Sequence, residues 1–309
     1  MTEKQANMYQ NLWNQVHKTF DWRTHHQGKR GNERYREGLR AFSKHLAIEY
    51  GSKHFRNISD QHLRSFVEVS KEANIGTSTI KTDLSAIRKL HQLLPKKRHD
   101  LPQDNKAFQL EKRRLTGIDR AWTNQEVTKA YEHAQVMERN DVIWGLGLAR
   151  TLGLRMEEAT ALTKTQIRNA LTNGYLHLTK TKGGVKRDVP LNAQSTRVLQ
   201  QMLHQSPSEK IFVKHGRTHT QAMKRIQNWI GNHRHVFQQN DVKRDHVYQQ
   251  QLKIDVERPN LTFHGLRHAY ARENYQKFLK ALKNEKKARL EVSKLLGHGR
   301  DDVTKIYLG

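Results

Sequence analysis

The 309-residue chain contains no cysteine, which removes disulfides, thiolate nucleophiles and every cysteine-based zinc site and leaves no sign of an oxidising compartment. Acidic residues are few beside basic ones, 30 Asp and Glu against 56 Lys and Arg, a formal charge of +26 with the 19 histidines neutral. A charge so far from zero works against a compact state through self-repulsion unless a polyanion offsets it. Nucleic acid is the expected partner. Proline is rare as well. The five, at 95, 102, 190, 207 and 259, fall between apolar-periodic segments, as in a helix-rich chain. No window approaches the roughly 18 uninterrupted apolar residues of a membrane span, and the opening Met1-Thr2-Glu3-Lys4-Gln5 lacks an apolar export segment. The expectation is a cytoplasmic protein with no membrane partner. A P-loop, a GxGxxG fingerprint and an HExxH motif are all missing, and His233-Arg234-His235 has no companions spaced to complete a metal site. No cofactor or metal is expected, so any phosphate chemistry must rely on Arg, Lys and His.

What is present is apolar periodicity. The apolar share is only 35%, yet Leu, Ile, Val, Phe and Trp recur throughout, and the length suits two domains that each bury a core. Leu39, Phe42, Leu46 and Tyr50 follow the spacing of a helix with one buried face. So do Ile80, Leu84, Ile87, Leu90 and Leu94, with Lys81, Arg88 and Lys89 on other faces. A weaker stripe, Leu12, Trp13, Val16 and Phe20, predicts another helix near the N-terminus. A basic helical N-terminal domain is expected over 1–116. From Pro95 to about Gly117 the pattern lapses, with Lys96-Lys97-Arg98 at one end and Lys112-Arg113-Arg114 near the other. This reads as a basic linker along a phosphate backbone, or as an exposed charged loop. Lys81, Arg88, Lys89, Lys96, Lys97, Arg98, Arg113 and Arg114 are the candidate DNA contacts of this half.

Thr123-Asn124-Gln125-Glu126 is a capping box, in which the Thr hydroxyl and the Glu carboxylate satisfy orphan donors at a helix start. It opens a second domain over 118–309, with helix continuing through Ile143-Trp144-Gly145-Leu146 and Ala149. Alternation in Tyr175-Leu176-His177-Leu178-Thr179, the pair Gly183-Gly184 and a return from Val185 to Leu191 predict a β-hairpin. Residues 206–260 are polar, with an apolar patch at Met223, Ile226, Trp229 and Ile230, and are assigned helix plus loop. The expected fold is mainly α with a small antiparallel sheet in the second domain.

Four segments of the second domain could bind phosphate. In Gly153-Leu154-Arg155, an arginine follows a glycine and opens a run in which Ala159, Leu162 and Ile167 can pack, although a surface helix often carries such an arginine. Thr181-Lys182-Gly183-Gly184 puts a lysine at the hairpin tip, either plainly solvated or able to swing onto a leaving oxygen. In Thr262-Phe263-His264-Gly265-Leu266-Arg267-His268, Thr262 can cap a helix whose first turn carries His264 and Arg267 on one face, where backbone N–H groups favour an anion. The alternative is an interior His264 and an exposed Arg267. In Leu296-Gly297-His298, Gly297 ends a helix and Asp301 or Asp302 can cap the next one. That last helix carries Tyr307, which either packs its ring or does chemistry.

The order and spacing of Arg155, Lys182, His264-x-x-Arg267, His298 and Tyr307 resemble the tyrosine recombinase (phage integrase) family, at motif level over about residues 120–309. The shared features include Glu158 three residues after Arg155, the hairpin ending in Val189-Pro190-Leu191, and Leu296-Gly297-His298 nine residues before the tyrosine. The basic first half is similar to the family's DNA-clasping core-binding domain. The resemblance implies that Tyr307 attacks the scissile phosphodiester to give a 3′-phosphotyrosyl link and a free 5′-hydroxyl. It further implies that Arg155 and Arg267 grip the non-bridging oxygens, that Lys182 is the general acid, that His264 is the base for the tyrosine proton and that His298 hydrogen-bonds the phosphate. Partners implied are duplex DNA at specific recombination sites, a homotetramer on DNA formed from monomers or dimers, and accessory DNA-bending proteins, in integration or excision of a bacterial or phage mobile element. The same constellation could serve a type IB topoisomerase, and a different class is a non-catalytic architectural DNA-binding protein. Only Leu308 and Gly309 follow Tyr307, where family members often extend further. The resemblance then implies either another segment exchanged between subunits or a sequence that is part of a longer one.

Overall fold

The computed structural model describes residues 1–20, 22, 28–111, 119–179, 186–213, 215–239, 260–299 and 301–308. The chain forms two compact units, Met1–Arg113 and Arg114–Gly309. Among the described residues no helix is long and apolar enough to cross a membrane.

The first unit consists of α1 (Glu3–Thr19), α2 (Gly28–Glu49), α3 (Asp60–Glu72) and α4 (Thr77–Leu93). A capping box starts α1, the Thr2 backbone N–H donating to Gln5 Oε1 at 2.7 Å and the Gln5 N–H returning to Thr2 Oγ1 at 3.3 Å. The apolar stripes meet as their spacing requires: Leu12 and Val16 of α1, Leu39, Phe42 and Leu46 of α2, and Leu84 and Ile87 of α4 are fully buried in one core.

The stretch expected as a linker belongs, as far as residue 111, to this unit, with Leu101 and Phe108 in its core. Arg88 is the reason. Proposed above as a DNA contact, it is instead buried, its Nε donating to the Pro102 carbonyl at 2.6 Å, Nη1 to Asn105 Oδ1 at 2.8 Å and Nη2 to the Asp104 carbonyl at 2.6 Å. All three nitrogens of its planar fork are used to pin the segment to α4. Lys81 donates to the Glu111 carbonyl. Lys89 is half-buried, and Lys96, Lys97 and Arg98 are exposed. Arg113 and Arg114 lie outside the described residues.

The second unit carries α5 (Asn124–Val136), α6 (Asn140–Leu152), α7 (Met156–Thr160), α8 (Lys164–Asn173), β1 (Tyr175–Leu178), β2 (Arg187–Pro190), α9 (Ala193–Gln205), α10 (His219–Phe237), α11 (Phe263–Leu282), α12 (Glu285–Leu296) and α13 (Asp301–Leu308). The Thr123–Glu126 capping box forms as expected, and buried Glu126 also accepts the Gln239 N–H at 3.0 Å, joining the start of α5 to the end of α10. The strands pair antiparallel, Tyr175 opposite Pro190 and Leu178 opposite Arg187, and the pleat turns Leu176, Leu178, Val189 and Arg187 inward. The connection holding Lys182 lies outside the described residues. In α10, Met223, Ile226, Trp229 and Ile230 line the buried face. A smaller core of Tyr270, Ala271, Val292, Leu296 and Tyr307 joins α11, α12 and α13.

Two histidines of the first unit generate a pH dependence. His45 and His91 are buried, each with an Nε2 that has no partner among the described residues, and burial pushes both pKa values down. Each is therefore neutral in the fold, while the unfolded chain takes up their protons below about pH 6.5. The stability they permit is present above that pH and lost as pH falls, at up to about 1.4 kcal/mol per pH unit for each. Urea unfolding between pH 7 and 5, followed by hydrogen exchange of α2 and α4 amides, is expected to show this loss, and His45→Gln/His91→Gln to flatten it.

Candidate active site

The site starts at a glycine. Gly153 ends α6 in the left-handed region (φ 61°), and a Cβ there would sit 2.4 Å from the Tyr270 ring, so no other residue fits both the turn and the approach. The chain then places Arg155 as the residue before α7, with Glu158 in its first turn. Glu158 accepts the Arg155 backbone N–H at 2.8 Å and Arg155 Nη1 at 2.7 Å. It also takes both terminal nitrogens of Arg187, at 2.9 and 2.7 Å, and lies 3.9 Å from Arg267 Nη1. Burial alone would raise this carboxyl's pKa, but the hydrogen bonds and charges of Arg187 and Arg155 outweigh it and hold it at about 2.

Arg267, the fifth residue of α11, is fully buried. It donates to the carbonyls of Gly153 and Leu296, the latter at 2.6 Å, and thereby ties the end of α6 to the end of α12. Burial lowers its pKa to about 10, so the group is still a cation at neutral pH. His298 follows Gly297, whose left-handed conformation (φ 70°) ends α12 and whose missing Cβ leaves room for the Arg187 side chain at 2.7 Å. His298 Nε2 lies 2.9 Å from Arg155 Nη2, 3.3 Å from Arg267 Nη2 and 3.4 Å from the Tyr307 hydroxyl. Burial first, then the charges of Arg267, Arg155, Arg187 and His264, push its pKa down to about 3.

Tyr307 is 6% exposed. Its ring has Arg267 Cζ 5.5 Å from the centroid and the rings of His264, His268 and His298 at 5.5, 4.7 and 5.2 Å. Arg289 of α12 holds its helix by donating Nε to Asp301 at 2.6 Å. Asp301, expected as a cap, is thus the anchor of α13. Thr262 stands at the start of α11 without a side-chain cap bond, and its carbonyl accepts the Trp122 indole N–H at 2.9 Å. Beside His264 opens a cleft of about 310 Å³ bounded by Met156, Gln227, Ile230, Arg234 and Phe263.

Five of the six sequence-derived residues, Arg155, His264, Arg267, His298 and Tyr307, therefore come together, and Lys182 lies outside the described residues. The bland alternative for the α11 pair is inverted: His264 is exposed and Arg267 buried. Sequence reasoning missed two neighbours, Arg187 and His268, and noted Glu158 without giving it a role. Arg187 carried one signal, an inward position by strand alternation. Glu158 carried another, at the third helical position after Arg155 where a capping box places its carboxylate. His268, 2% exposed, hydrogen-bonded to the Tyr307 backbone and pushed to a pKa of about 3 chiefly by burial, carried none. Among the described residues no group of three or more His, Asp or Glu is arranged to hold a metal.

Glu158 is the only carboxylate facing these three guanidiniums in the described residues. Glu158→Gln removes the counter-charge and is expected to destabilise the fold by about 3–5 kcal/mol, measured by urea unfolding. Because its pKa is depressed, the wild-type stabilisation is whole above about pH 4.5 and disappears as pH falls towards 2, so the gap between the two proteins should close over that window.

A model of the phage integrase N-terminal SAM-like domain matches residues 31–98, and one of the phage integrase family matches residues 121–309. No curated protein matches the chain. Solved structures with the same fold include a lambda integrase dimer bound to a COC′ core site, with a TM-score of 0.63 and 14% identity over 100% of this chain and 81% of that one. A lambda integrase tetramer bound to a Holliday junction gives a TM-score of 0.64 at 14% identity, over 98% of this chain and 76% of that one. The Tn1549 transposon integrase in complex with transposon right end DNA gives 0.59 at 14% identity, over 98% and 94%. With the family matched over residues 121–309, well over half of its length, the chain belongs to the phage integrase family and is a tyrosine recombinase, an enzyme that breaks and rejoins DNA strands.

Proposed function

We propose that this recombinase joins specific pairs of duplex sites during integration or excision of a mobile element, in the cytoplasm of its host, as a tetramer on DNA in which Tyr307 forms a 3′-phosphotyrosyl link. The observation that carries the reading is the position of the Tyr307 hydroxyl, 3.4 Å from His298 Nε2 and beside two guanidiniums that converge on the same nitrogen. A phosphate oxygen, which like that nitrogen accepts hydrogen bonds, can take its place between the two forks. The oxygen of Tyr307 would bond to phosphorus as the P–O5′ bond breaks, and the backbone's bond energy stays in the phosphotyrosyl ester for rejoining without ATP. Arg155 and Arg267 would stabilise the charge that grows on the non-bridging oxygens. Lys182 is proposed as the acid that protonates the departing 5′-oxygen. The phenol packs inside its own subunit, which favours cleavage in cis. Lys89, Lys96, Lys97 and Arg98 are proposed to meet phosphates from the first unit, with Lys81, Arg113 and Arg114.

Incubating the protein with a library of nicked random-sequence duplexes should yield an SDS-resistant covalent complex, and Tyr307→Phe should eliminate it while retaining DNA affinity. Arg267→Lys, which replaces a fork with a point charge, should slow its formation by about 10²–10³-fold. A complex that forms undiminished with Tyr307→Phe places the nucleophile elsewhere. Relaxation of any plasmid by a monomer, with no joining of two sites, favours the topoisomerase reading.

Binding should be dominated by phosphate contacts, with log K falling linearly against log salt at about −0.9 per contact. Lys96→Ala and Lys97→Ala are each expected to reduce that slope by about one. Arg88→Ala should instead lower stability and leave the slope alone, since the guanidinium is bonded within its own unit.

A further inference from the structure

Arginine has no acceptor, so the hydrogen bonds that Arg155 and Arg267 make to His298 fix the state of that ring. Nε2 must present its lone pair to both guanidiniums, at 2.9 and 3.3 Å, and the imidazole is neutral with its proton on Nδ1. That Nδ1 is buried and has no partner among the described residues. The two cations thus impose a tautomer that the surroundings of Nδ1 do nothing to favour. The Tyr307 hydroxyl, at 3.4 Å, is a third donor facing the same lone pair.

A phosphodiester is a stronger acceptor than an imidazole, and its planar-fork contacts are those that arginine fits best. Once it enters, Arg155 and Arg267 turn to its oxygens and the lone pair on Nε2 is left to the phenol alone. We infer that His298, rather than His264, takes the proton of Tyr307, and that the scissile phosphate itself frees it to do so. The inference rests on the reading of Tyr307 as the nucleophile.

In this step the phenolic O–H breaks and its proton joins Nε2. The oxygen's electron pair forms the O–P bond, the P–O5′ bond breaks, and the 5′-oxygen takes its proton from a separate acid, the role proposed for Lys182. His298 leaves the step as an imidazolium whose Nε2–H donates to a non-bridging oxygen, and the proton returns to Tyr307 when a 5′-hydroxyl attacks the ester. The charged and titratable groups around His298 are Arg155 beside α7, Arg187 on β2, Arg267 and His264 on α11 and Tyr307 on α13, with Glu158 bonded to Arg155 and Arg187. The three guanidiniums oppose protonation of the ring while the site is unliganded, and a phosphate's negative charge offsets them. Tyr307 is therefore dormant until a phosphate is seated.

The test uses the duplex recovered by covalent capture, remade with a 5′-bridging sulfur so that departure of the leaving group needs no acid. Single-turnover formation of the SDS-resistant complex is measured from pH 5.5 to 9.5. Wild type should reach a plateau. His298→Gln should be slower by about 10²-fold at pH 7 and rise tenfold per pH unit, as hydroxide replaces the lost base. His264→Gln should keep the plateau. Putting 3,5-difluorotyrosine at position 307 should restore much of the His298→Gln rate, because a more acidic phenol needs less help, whereas a misfolded site would gain nothing. A plateau retained by His298→Gln, or hydroxide dependence appearing in His264→Gln instead, overturns the inference. Failure of the wild type to form any covalent complex overturns the reading of Tyr307 beneath it.

Discussion

One buried carboxylate holds three guanidiniums in place. Glu158 receives Arg155 and Arg187 through four hydrogen bonds, one of them from the Arg155 backbone, and lies 3.9 Å from Arg267. A carboxylate in such a position would be untenable without partners, and three unneutralised guanidiniums would repel one another apart. The ratio matters more than the existence of the pairs. Three positive charges against one negative charge leave the cluster with an excess of two, in a place too dry for water to screen it well. The fold supplies enough anion to assemble the cluster and too little to neutralise it, and the remainder is a charge that the proposed phosphodiester would offset.

The same economy explains which parts of the site were legible in the sequence. Residues proposed to meet the reacting phosphate are of types that bind or attack it, Arg, His and Tyr, so Arg155, His264, Arg267, His298 and Tyr307 were readable as a spaced pattern. Those that hold them were harder to see. Arg187 sits on a four-residue strand, at an inward position where an arginine reads as an error until Glu158, 29 residues earlier, is known to be its partner. His268 packs against the Tyr307 ring at 4.7 Å, a contact that α13 makes from the other end of the domain's sequence. Arg88 failed in the opposite sense. Its charge suggested DNA, and helical periodicity placed it off the buried stripe, but the segment after α4 folds back over that flank. This segment shows no sustained period of its own because it holds only a single 3-10 turn, Lys106–Phe108, and side-chain bonds to its carbonyls help fix its course.

The stripes in α1, α2 and α4 and the capping box of α5 matched structure because each is set by residues within a turn or two of one another. The hairpin's paired strands matched for the same reason, through alternation along a few residues. The apolar patch of residues 223–230 became the buried face of α10, yet the boundaries of that helix were not foreseen, since the Thr218 cap that begins it also reads as ordinary loop chemistry.

A helix as short as α13 cannot persist by itself, because nucleation is costly and eight residues return few hydrogen bonds. Its order is borrowed from docking: the Tyr307 ring in the small core with Tyr270, Val292 and Leu296, and Arg289 on Asp301. Tyr307, the proposed nucleophile, is thus itself one of the core residues that hold its own helix down. Packing and chemistry therefore constrain each other at this position. The ring must be buried enough to anchor the helix, while its hydroxyl must reach the convergence of Arg155, Arg267 and His298. Phenylalanine satisfies the first demand and tyrosine both. The hydroxyl meets the second demand by lying 3.4 Å from His298 Nε2.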